Sequence, residues 1–282
     1  MDIPVLQKNK TATRITPENY AYLQNQVYKE SGIVLDETKL YLLESRLMPI
    51  VQKNQLGGLN DLCALLKAVH GLPLRQQVVE AMTTNETLFF RDVTVFDALQ
   101  KTVLPELIEI RKATRILNFW SAAASSGQEA YSLAMLLLET GLGAWKIRIL
   151  GTDLNHQILE RARTGRYLQI EVNRGLPAKH LVKYFYRVGL EWQIKDEVRR
   201  MVDFQPFDLR MSMRTMGPFD IIFCRNVLIY FDVETKKKIL AELRGALYHK
   251  GLLLLGTAES TLNLDSQFAK KILGQATFYE AP

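Results

Sequence analysis

The residues best suited to chemistry in this chain of 282 residues lie around a short turn of small side chains. Ala122-Ala123-Ala124-Ser125-Ser126-Gly127 follows an apolar run, Ile116–Trp120, and precedes a helical pattern. In a parallel α/β sheet such a turn sits at the carboxyl end of the first strand, where nucleoside cofactors bind. At the three positions where a dinucleotide turn carries glycine, this one has Ala122, Ala124 and Gly127. Ala124 obstructs the close backbone approach a pyrophosphate needs, so a cofactor without phosphates fits better. Asp153 lies just past the next apolar run, where a carboxylate can accept hydrogen bonds from both ribose hydroxyls; its second reading is a helix cap. Glu129, in the first turn of the helix after Gly127, either compensates the helix dipole or meets a cationic amino group. S-adenosylmethionine (SAM) has ribose hydroxyls, an amino group, a carboxylate and a sulfonium but no phosphate, and so suits this pair.

Other reactive side chains are scattered. His70, His156, His180 and His249 form no i, i+4 pair and read as surface residues, so no metal is expected. Cys63 and Cys224 have neither metal-ligand nor disulfide spacing and read as reduced, buried thiols. With 48% hydrophobic and 23% charged residues, the composition is that of a globular protein with a real core, which excludes disordered and collagen-like classes. The apolar runs Leu252–Leu255 and Ile221–Phe223 are strand-sized, far below the roughly 20 residues of a membrane helix. Met1–Thr16 lacks an apolar stretch with a small-residue cleavage site, so a cytoplasmic protein is expected. The net charge of +6 resides in Arg161, Arg163, Arg166, Lys179, Lys183, Arg187, Arg199, Arg200 and Lys236–Lys238. It is not interleaved with aromatics, so the expected partners are acidic proteins rather than nucleic acid or membrane.

A turn and an acid at two strand ends require strands lying side by side. From Thr16 to about Met82 the apolar spacing is helical. Thr16-Pro17-Glu18 reads as one helix start and Asp36-Glu37 as another, with Pro49 predicted to kink or end the second helix. Gly57-Gly58 is a break, Asn60 or Asp61 starts a helix through Val69, and Gly71-Leu72-Pro73 breaks again. Strand patterns begin at residue 115. Strands from Arg115, at Lys146–Leu150, Val202–Phe204, Phe219–Cys224 and Gly251–Leu255 alternate with helices at Gly127–Thr140, after Asp153 through Arg163, and at Val233–Leu247. That alternation specifies an α/β, doubly wound, parallel sheet. Phe268–Leu273 and Ala276–Glu280 read as a hairpin on the sheet edge, and Phe89, Phe90, Trp120, Cys224 and Phe231 read as core.

Four strings carry a specific resemblance: Met82-Thr-Thr-Asn-Glu-Thr-Leu-Phe-Phe-Arg91, Phe119-Trp-Ser-Ala-Ala-Ala-Ser-Ser-Gly-Gln-Glu129, Gly151-Thr-Asp153, and Phe219-Asp-Ile-Ile-Phe-Cys-Arg-Asn-Val-Leu-Ile-Tyr-Phe231. In order and spacing they resemble the CheR family of chemotaxis receptor methyltransferases, over nearly the whole chain. The resemblance implies a Rossmann-like, SAM-dependent methyltransferase domain preceded by a small all-helical domain, with a small β-subdomain inserted. It implies methyl transfer from SAM to glutamate side chains on the cytoplasmic helical domain of methyl-accepting chemoreceptors. The expected division is a receptor-contacting domain over 1–82, a linker and cofactor-covering segment over 83–114, and a methyltransferase domain over 115–282 with the subdomain at about 181–204.

Carried onto this sequence, the resemblance implies that Asn85, Thr87 and Arg91 reach over the cofactor, while Glu129 and Asp153 hold its amino group and ribose. Asp208 and Leu209 stand where the family usually has Asn-Leu near the adenine. Arg225 and Asn226 would line the same pocket, and Tyr230 would face the incoming glutamate, so Arg91 and Tyr230 are the expected catalytic pair. A methyltransferase acting on nucleic acid or a small molecule would carry Asn-Pro-Pro-Tyr or Asp-Pro-Pro-Tyr where this chain reads Arg225-Asn-Val-Leu. Two competing readings are a methyltransferase of a related non-chemotaxis signalling pathway and a non-catalytic signalling adaptor. The presence of Arg91, Glu129, Asp153 and Tyr230 together opposes the adaptor.

Two expectations concern partners. Lys39, Arg46 and Lys53 recur every seven residues beside Leu40, Leu43 and Leu47, a row that could grip a receptor coiled coil; against it stands a solvated face balanced by Glu44. Some members of the family capture a receptor's C-terminal pentapeptide as an added strand on the β-subdomain. Here Tyr184–Val188 and Glu191–Lys195 flank the tight turn Gly189-Leu190, so a short hairpin and an enzyme working without that tether are expected; a monomer is expected as well.

Overall fold

The computed structural model describes residues 14–68 and 72–282, apart from the side chains of Glu37 and Leu72. Most of the Met1–Thr16 segment, together with Val69, His70 and Gly71, lies outside the described residues. The chain divides at Thr83/Thr84 into two compact units.

The first unit is helical. Helix α1 (Pro17–Ser31) is capped by Thr16, whose Oγ1 accepts from the Asn19 N–H. It stops at Gly32, which takes the left-handed conformation that a C-terminal cap requires. A 3-10 turn capped by Asp36 leads into α2 (Leu40–Lys53), followed by α3 (Leu59–Lys67) and α4 (Leu72–Met82). Leu23, Val27, Leu43, Leu47, Leu62, Cys63 and Leu66 form the core. Of the two outcomes expected at Pro49, a kink or an end, the second does not occur: α2 runs four residues further. Both Pro49 and Ser45, whose carbonyl loses its usual donor, lie on the exposed face, where that carbonyl is open to solvent.

The second unit begins with one continuous helical run, α5 (Val93–Ala98), a π-helical stretch over Leu99–Val103, and α6 (Leu104–Arg111). Residues 84–114 therefore belong to this unit rather than to a separate linker, and Phe89, Phe90, Phe96, Leu99 and Leu104 lie in its core. Then follow β1 (Ile116–Ala122), α7 (Gln128–Leu138), β2 (Lys146–Asp153), α8 (His156–Thr164), β3 (Arg166–Leu168), α9 (Gln169–Val172), α10 (Ala178–Tyr184), β4 (Phe185–Val188), β5 (Glu191–Ile194) and α11 (Asp196–Arg199). The chain closes with β6 (Val202–Pro206), β7 (Phe219–Cys224), a 3-10 turn at Leu228–Tyr230, α12 (Val233–Gly245), β8 (Leu247–Leu255), β9 (Ala269–Leu273) and β10 (Ala276–Glu280).

Seven strands form one sheet in the order β6-β2-β1-β7-β8-β10-β9. The first five are parallel, and the closing hairpin adds antiparallel to β8. Alternate residues face opposite sides of a strand. Phe119, Ile149, Ile221 and Phe223 pack with α7, while Trp120, Leu150, Ile222 and Cys224 pack with Ile239, Leu240 and Leu243 of α12. Both faces are buried, as a parallel sheet demands.

The inserted subdomain is a three-stranded antiparallel sheet in the order β3-β5-β4. Its first strand lies at 166–168, upstream of the expected 181–204, and three residues are too few to show alternation in a sequence. Val202–Phe204, expected both as a strand and as the end of the insertion, belongs to the main sheet as β6. His180 also differs from expectation. With Tyr184 it occupies the inner face of α10, stacked on Phe90 at 5.0 Å, while Val182 between them is 80% exposed. Much of the basic surplus is matched locally: Arg161 pairs with Glu171, Lys183 with Glu139, and Arg199 and Arg200 with Asp196.

Candidate active site

The site lies at the carboxyl ends of β2, β1 and β7, which the register sets side by side: Ala122 pairs with Thr152 on one flank and with Cys224 on the other. In the turn after β1, Ala123, Ser125 and Gly127 all have positive φ. For the two non-glycine residues that conformation costs about 1–2 kcal/mol each, so it persists only where its surroundings hold it. Here the Ala124 N–H donates to the Thr152 carbonyl at 2.7 Å and the Ser125 N–H to Asp153 Oδ2 at 2.9 Å. The Ser125 hydroxyl donates to the Asn85 carbonyl at 2.8 Å and the Tyr167 hydroxyl to the Ser126 carbonyl at 2.8 Å. Gly127 allows close packing, since a Cβ there would meet the Phe204 ring at 2.9 Å.

Asp153 is not the cap of α8. That role belongs to Asn155, whose Oδ1 accepts from the Ile158 N–H at 3.0 Å. The buried Asp153 carboxylate instead accepts from the Ser125 and Asn155 N–H groups. Burial pushes its pKa above the ordinary carboxylate range, against the lowering by the backbone donors of Asn155, Ser125 and Leu154. Further hydroxyl donors would stabilise its ionised form.

The second cluster centres on Arg225, whose side chain is 2% exposed. Its Nη1 donates to Glu129 Oε2 at 3.0 Å, and its Nη2 donates to the Arg91 carbonyl at 3.1 Å and to the Asp92 carboxylate. The Ser121 hydroxyl donates to Glu129 Oε1 at 2.7 Å. Each Glu129 oxygen thus accepts from one of these two side chains and has a lone pair to spare. Asp92, Glu129 and Asp153 give three carboxylates to one buried guanidinium, an excess of negative charge that suits an ammonium and a sulfonium. The segment carrying Asn85, Thr87 and Arg91 is fastened at three points: Asn85 to Ser125, the Phe90 N–H to Ser132 Oγ at 2.9 Å, and the Arg91 carbonyl to Arg225. Thr87 is half-buried. Among the described residues, the Arg91 guanidinium and the Tyr230 hydroxyl have no hydrogen-bond or ion-pair partner.

Asp208 and Leu209 follow Phe207, whose N–H donates to the Asp153 carbonyl at 3.0 Å, so this loop adjoins Asp153. The Asp208 carboxylate is held by the Arg210 guanidinium at 2.6 Å, and Leu209 is buried in the core cluster of Trp120. Asn226 lies in the left-handed region, with a buried Oδ1 that has no partner among the described residues. That orphaned acceptor, the two unpartnered groups and the negative excess together fit SAM, a ligand with hydroxyl, amino and carboxylate groups. The docking row fits less well. Arg46 turns its guanidinium onto the Met82 and Thr83 carbonyls at 2.6 and 3.1 Å, and Lys39 pairs with Asp36, leaving Lys53 exposed. Heptad spacing does not reveal that the end of α4 needs a donor.

Sequence reasoning misses Asp92, Ser121, Ser125 and Glu259. The last carries a legible signal, an acid just past a strand, the same placement that singles out Asp153.

A family model for the SAM-binding domain of CheR methyltransferases matches residues 85–276, and one for their all-alpha domain matches residues 18–83. A chemotaxis protein methyltransferase of Vibrio parahaemolyticus is 42% identical over 264 residues, covering 92% of this chain and 94% of that one. Chemotaxis protein methyltransferase 1 of Pseudomonas aeruginosa is 41% identical over 259 residues, covering 90% and 94%. Chemotaxis protein methyltransferase Cher2 of Pseudomonas putida is 39% identical over 271 residues, covering 93% and 98%. With both family models matched in sequence order over most of the chain and relatives about 40% identical over nine-tenths of it, the chain belongs to the CheR family of SAM-dependent chemotaxis methyltransferases.

Proposed function

We propose that the protein methylates glutamate side-chain carboxylates in the cytoplasmic helical domain of chemoreceptors, as a monomer, giving methyl esters. The observation that supports this reading is that, among the described residues, the Arg91 guanidinium and the Tyr230 hydroxyl have no partner, while Arg225 is taken up by Asp92 and Glu129. SAM supplies a methyl group already attached to a good leaving group. Asp153 accepts the ribose hydroxyls, the spare lone pairs of Glu129 accept the amino group, and Asn226 lines the pocket. Asp208 and Leu209 border the adenine end. A glutamate of ordinary pKa is ionised at pH 7, so the protein has little proton transfer to perform. Its task is orientation: Arg91 grips a carboxylate through its planar fork, and Tyr230 donates to the acceptor glutamate.

The test is incubation with methyl-labelled SAM and receptor cytoplasmic fragments, followed by mild base. An ester releases labelled methanol. Label that stays on the receptor after base would replace the glutamate assignment with an amide or amine acceptor.

Substrate recognition is proposed to proceed without a pentapeptide tether. The edge strand β4 is four residues long, and the turn at Gly189-Leu190 has no room for an enlarged loop. A Trp-containing receptor C-terminal pentapeptide titrated into the protein should show no saturable micromolar binding; such binding, lost when Gly189 is changed, would reverse this assignment.

A further inference from the structure

Glu259, in the loop after β8, has a carboxylate surrounded by backbone donors and, among the described residues, no ion-pair partner. Its Oε2 accepts from the Asn226 N–H at 2.7 Å and the Gly256 N–H at 2.7 Å, and its Oε1 from the Val227 N–H at 2.9 Å and the Ile229 N–H at 3.3 Å. Three of the four donors belong to the loop between β7 and Tyr230. That loop opens with Asn226 at φ +60, a conformation a non-glycine residue keeps only under constraint. Gly256 permits the approach: a Cβ on it would lie 2.6 Å from Asn226 Nδ2, 2.7 Å from Glu259 Oε2 and 2.8 Å from the Asn226 N. No side chain at 256 is compatible with this geometry.

We infer that Glu259 is the positioning residue of the methyl transfer, a carboxylate clamp that sets the loop carrying Asn226 and Tyr230. The inference rests on the proposed role of Tyr230. Charge-assisted hydrogen bonds to main-chain N–H groups are about twice as strong as neutral ones, and all of these converge on one short loop. A glutamine cannot replace the carboxylate, because its NH2 group would face two of the four donors.

The experiment compares wild type, Glu259→Gln, Tyr230→Phe and the double variant, with active sites counted by binding of the demethylated cofactor and rates taken well below each unfolding midpoint. Glu259→Gln should lower kcat about 10- to 100-fold, with receptor KM changed less than threefold. The double variant should be no slower than about twofold below the worse single one, since both changes act through one side chain. Independently of activity, amide exchange across 225–230 should accelerate at least tenfold in Glu259→Gln. If that variant does not fold, Gly256→Ala, whose Cβ would press on both the Asn226 backbone and the Glu259 carboxylate, disturbs the same clamp with Glu259 still present and should give the same kinetic pattern. An unchanged kcat, multiplicative losses in the double variant or unchanged amide exchange would overturn the inference. Wild type inactive on every receptor fragment, with exchange still dependent on Glu259, would overturn the receptor assignment and leave the clamp as a feature of the loop alone.

Discussion

Arg225 Nη1 lies 3.0 Å from Glu129 Oε2, joining the end of β7 to the first turn of α7 across 96 residues of sequence. Both groups are withdrawn from water, and the pair is completed by Asp92. Removing the cation would strand Glu129 beside the turn. Arg225→Ala is expected to destabilise the second unit by about 3 kcal/mol, read from urea unfolding, since losing one partner of a buried pair leaves an uncompensated charge. Arg225→Lys, which restores the charge without the fork, should recover only part of that loss. Equal stability for wild type and Arg225→Ala would remove the pair's structural role.

With Asp153 accepting the ribose hydroxyls, as proposed, cofactor binding is expected to depend on pH. Its carboxyl is raised by burial, and ribose hydroxyls would favour its ionised form. Affinity should therefore be highest above the raised value and fall, by up to about tenfold per pH unit, as pH drops below it. Asp153→Ala should weaken binding by roughly 2–4 kcal/mol and abolish this acid limb. Calorimetry with the demethylated cofactor at falling pH, carried through the ordinary carboxylate range, tests both; a flat wild-type profile together with unchanged affinity in the variant would refute the ribose assignment.

Gly151 faces the Phe204 ring across β2 and β6, and a Cβ there would lie 2.6 Å from two ring carbons. Gly151→Ala is expected to cost about 1–3 kcal/mol from overpacking. Because the obstruction is one side chain, Phe204→Leu in the same background should recover part of that loss. Strictly additive losses in urea unfolding would mean that the two residues do not meet.

His180 makes stability depend on acidity. Its pKa is held below 6.5 first by burial and then by Lys179 and Lys183, against the opposing Glu139. The unfolded chain therefore takes up this proton first as pH falls. Stability is lost from about pH 6.5 downward until the lower native value is reached. Relative to His180→Phe, the wild-type unfolding midpoint should drop more between pH 7.5 and 5.5; parallel profiles would contradict this.

The main sheet is legible in the sequence because each strand is a compact apolar run and each helix begins at a recognisable break: Phe219–Cys224 coincides with β7, and Gly127 directly precedes α7. Asp153 and the small-residue turn are legible for the same reason, since a strand end fixes where a side chain must stand. The partners are not. Arg225 can be placed in the pocket, but nothing local shows that its guanidinium directs its donors to Glu129, Asp92 and a main-chain carbonyl. His180 reads as a surface residue because its type is polar, whereas its helix turns positions 180 and 184 inward. Arg46 looks free because the carbonyls it caps lie 36 and 37 residues away.

The central pairing of β1 with β7 has a consequence for biosynthesis. The Asn118 N–H donates to Asp220 Oδ2 across 102 residues, so β1 emerges from the ribosome long before its inner neighbour exists. At about 5–20 residues per second the gap lasts roughly 5–20 s, during which Phe119 and Trp120 lack the partners that later cover them. Nascent chains stalled between residues 125 and 215 should be the forms most readily captured by holdase chaperones, and slowing translation there should raise the aggregated fraction more than slowing it after β8.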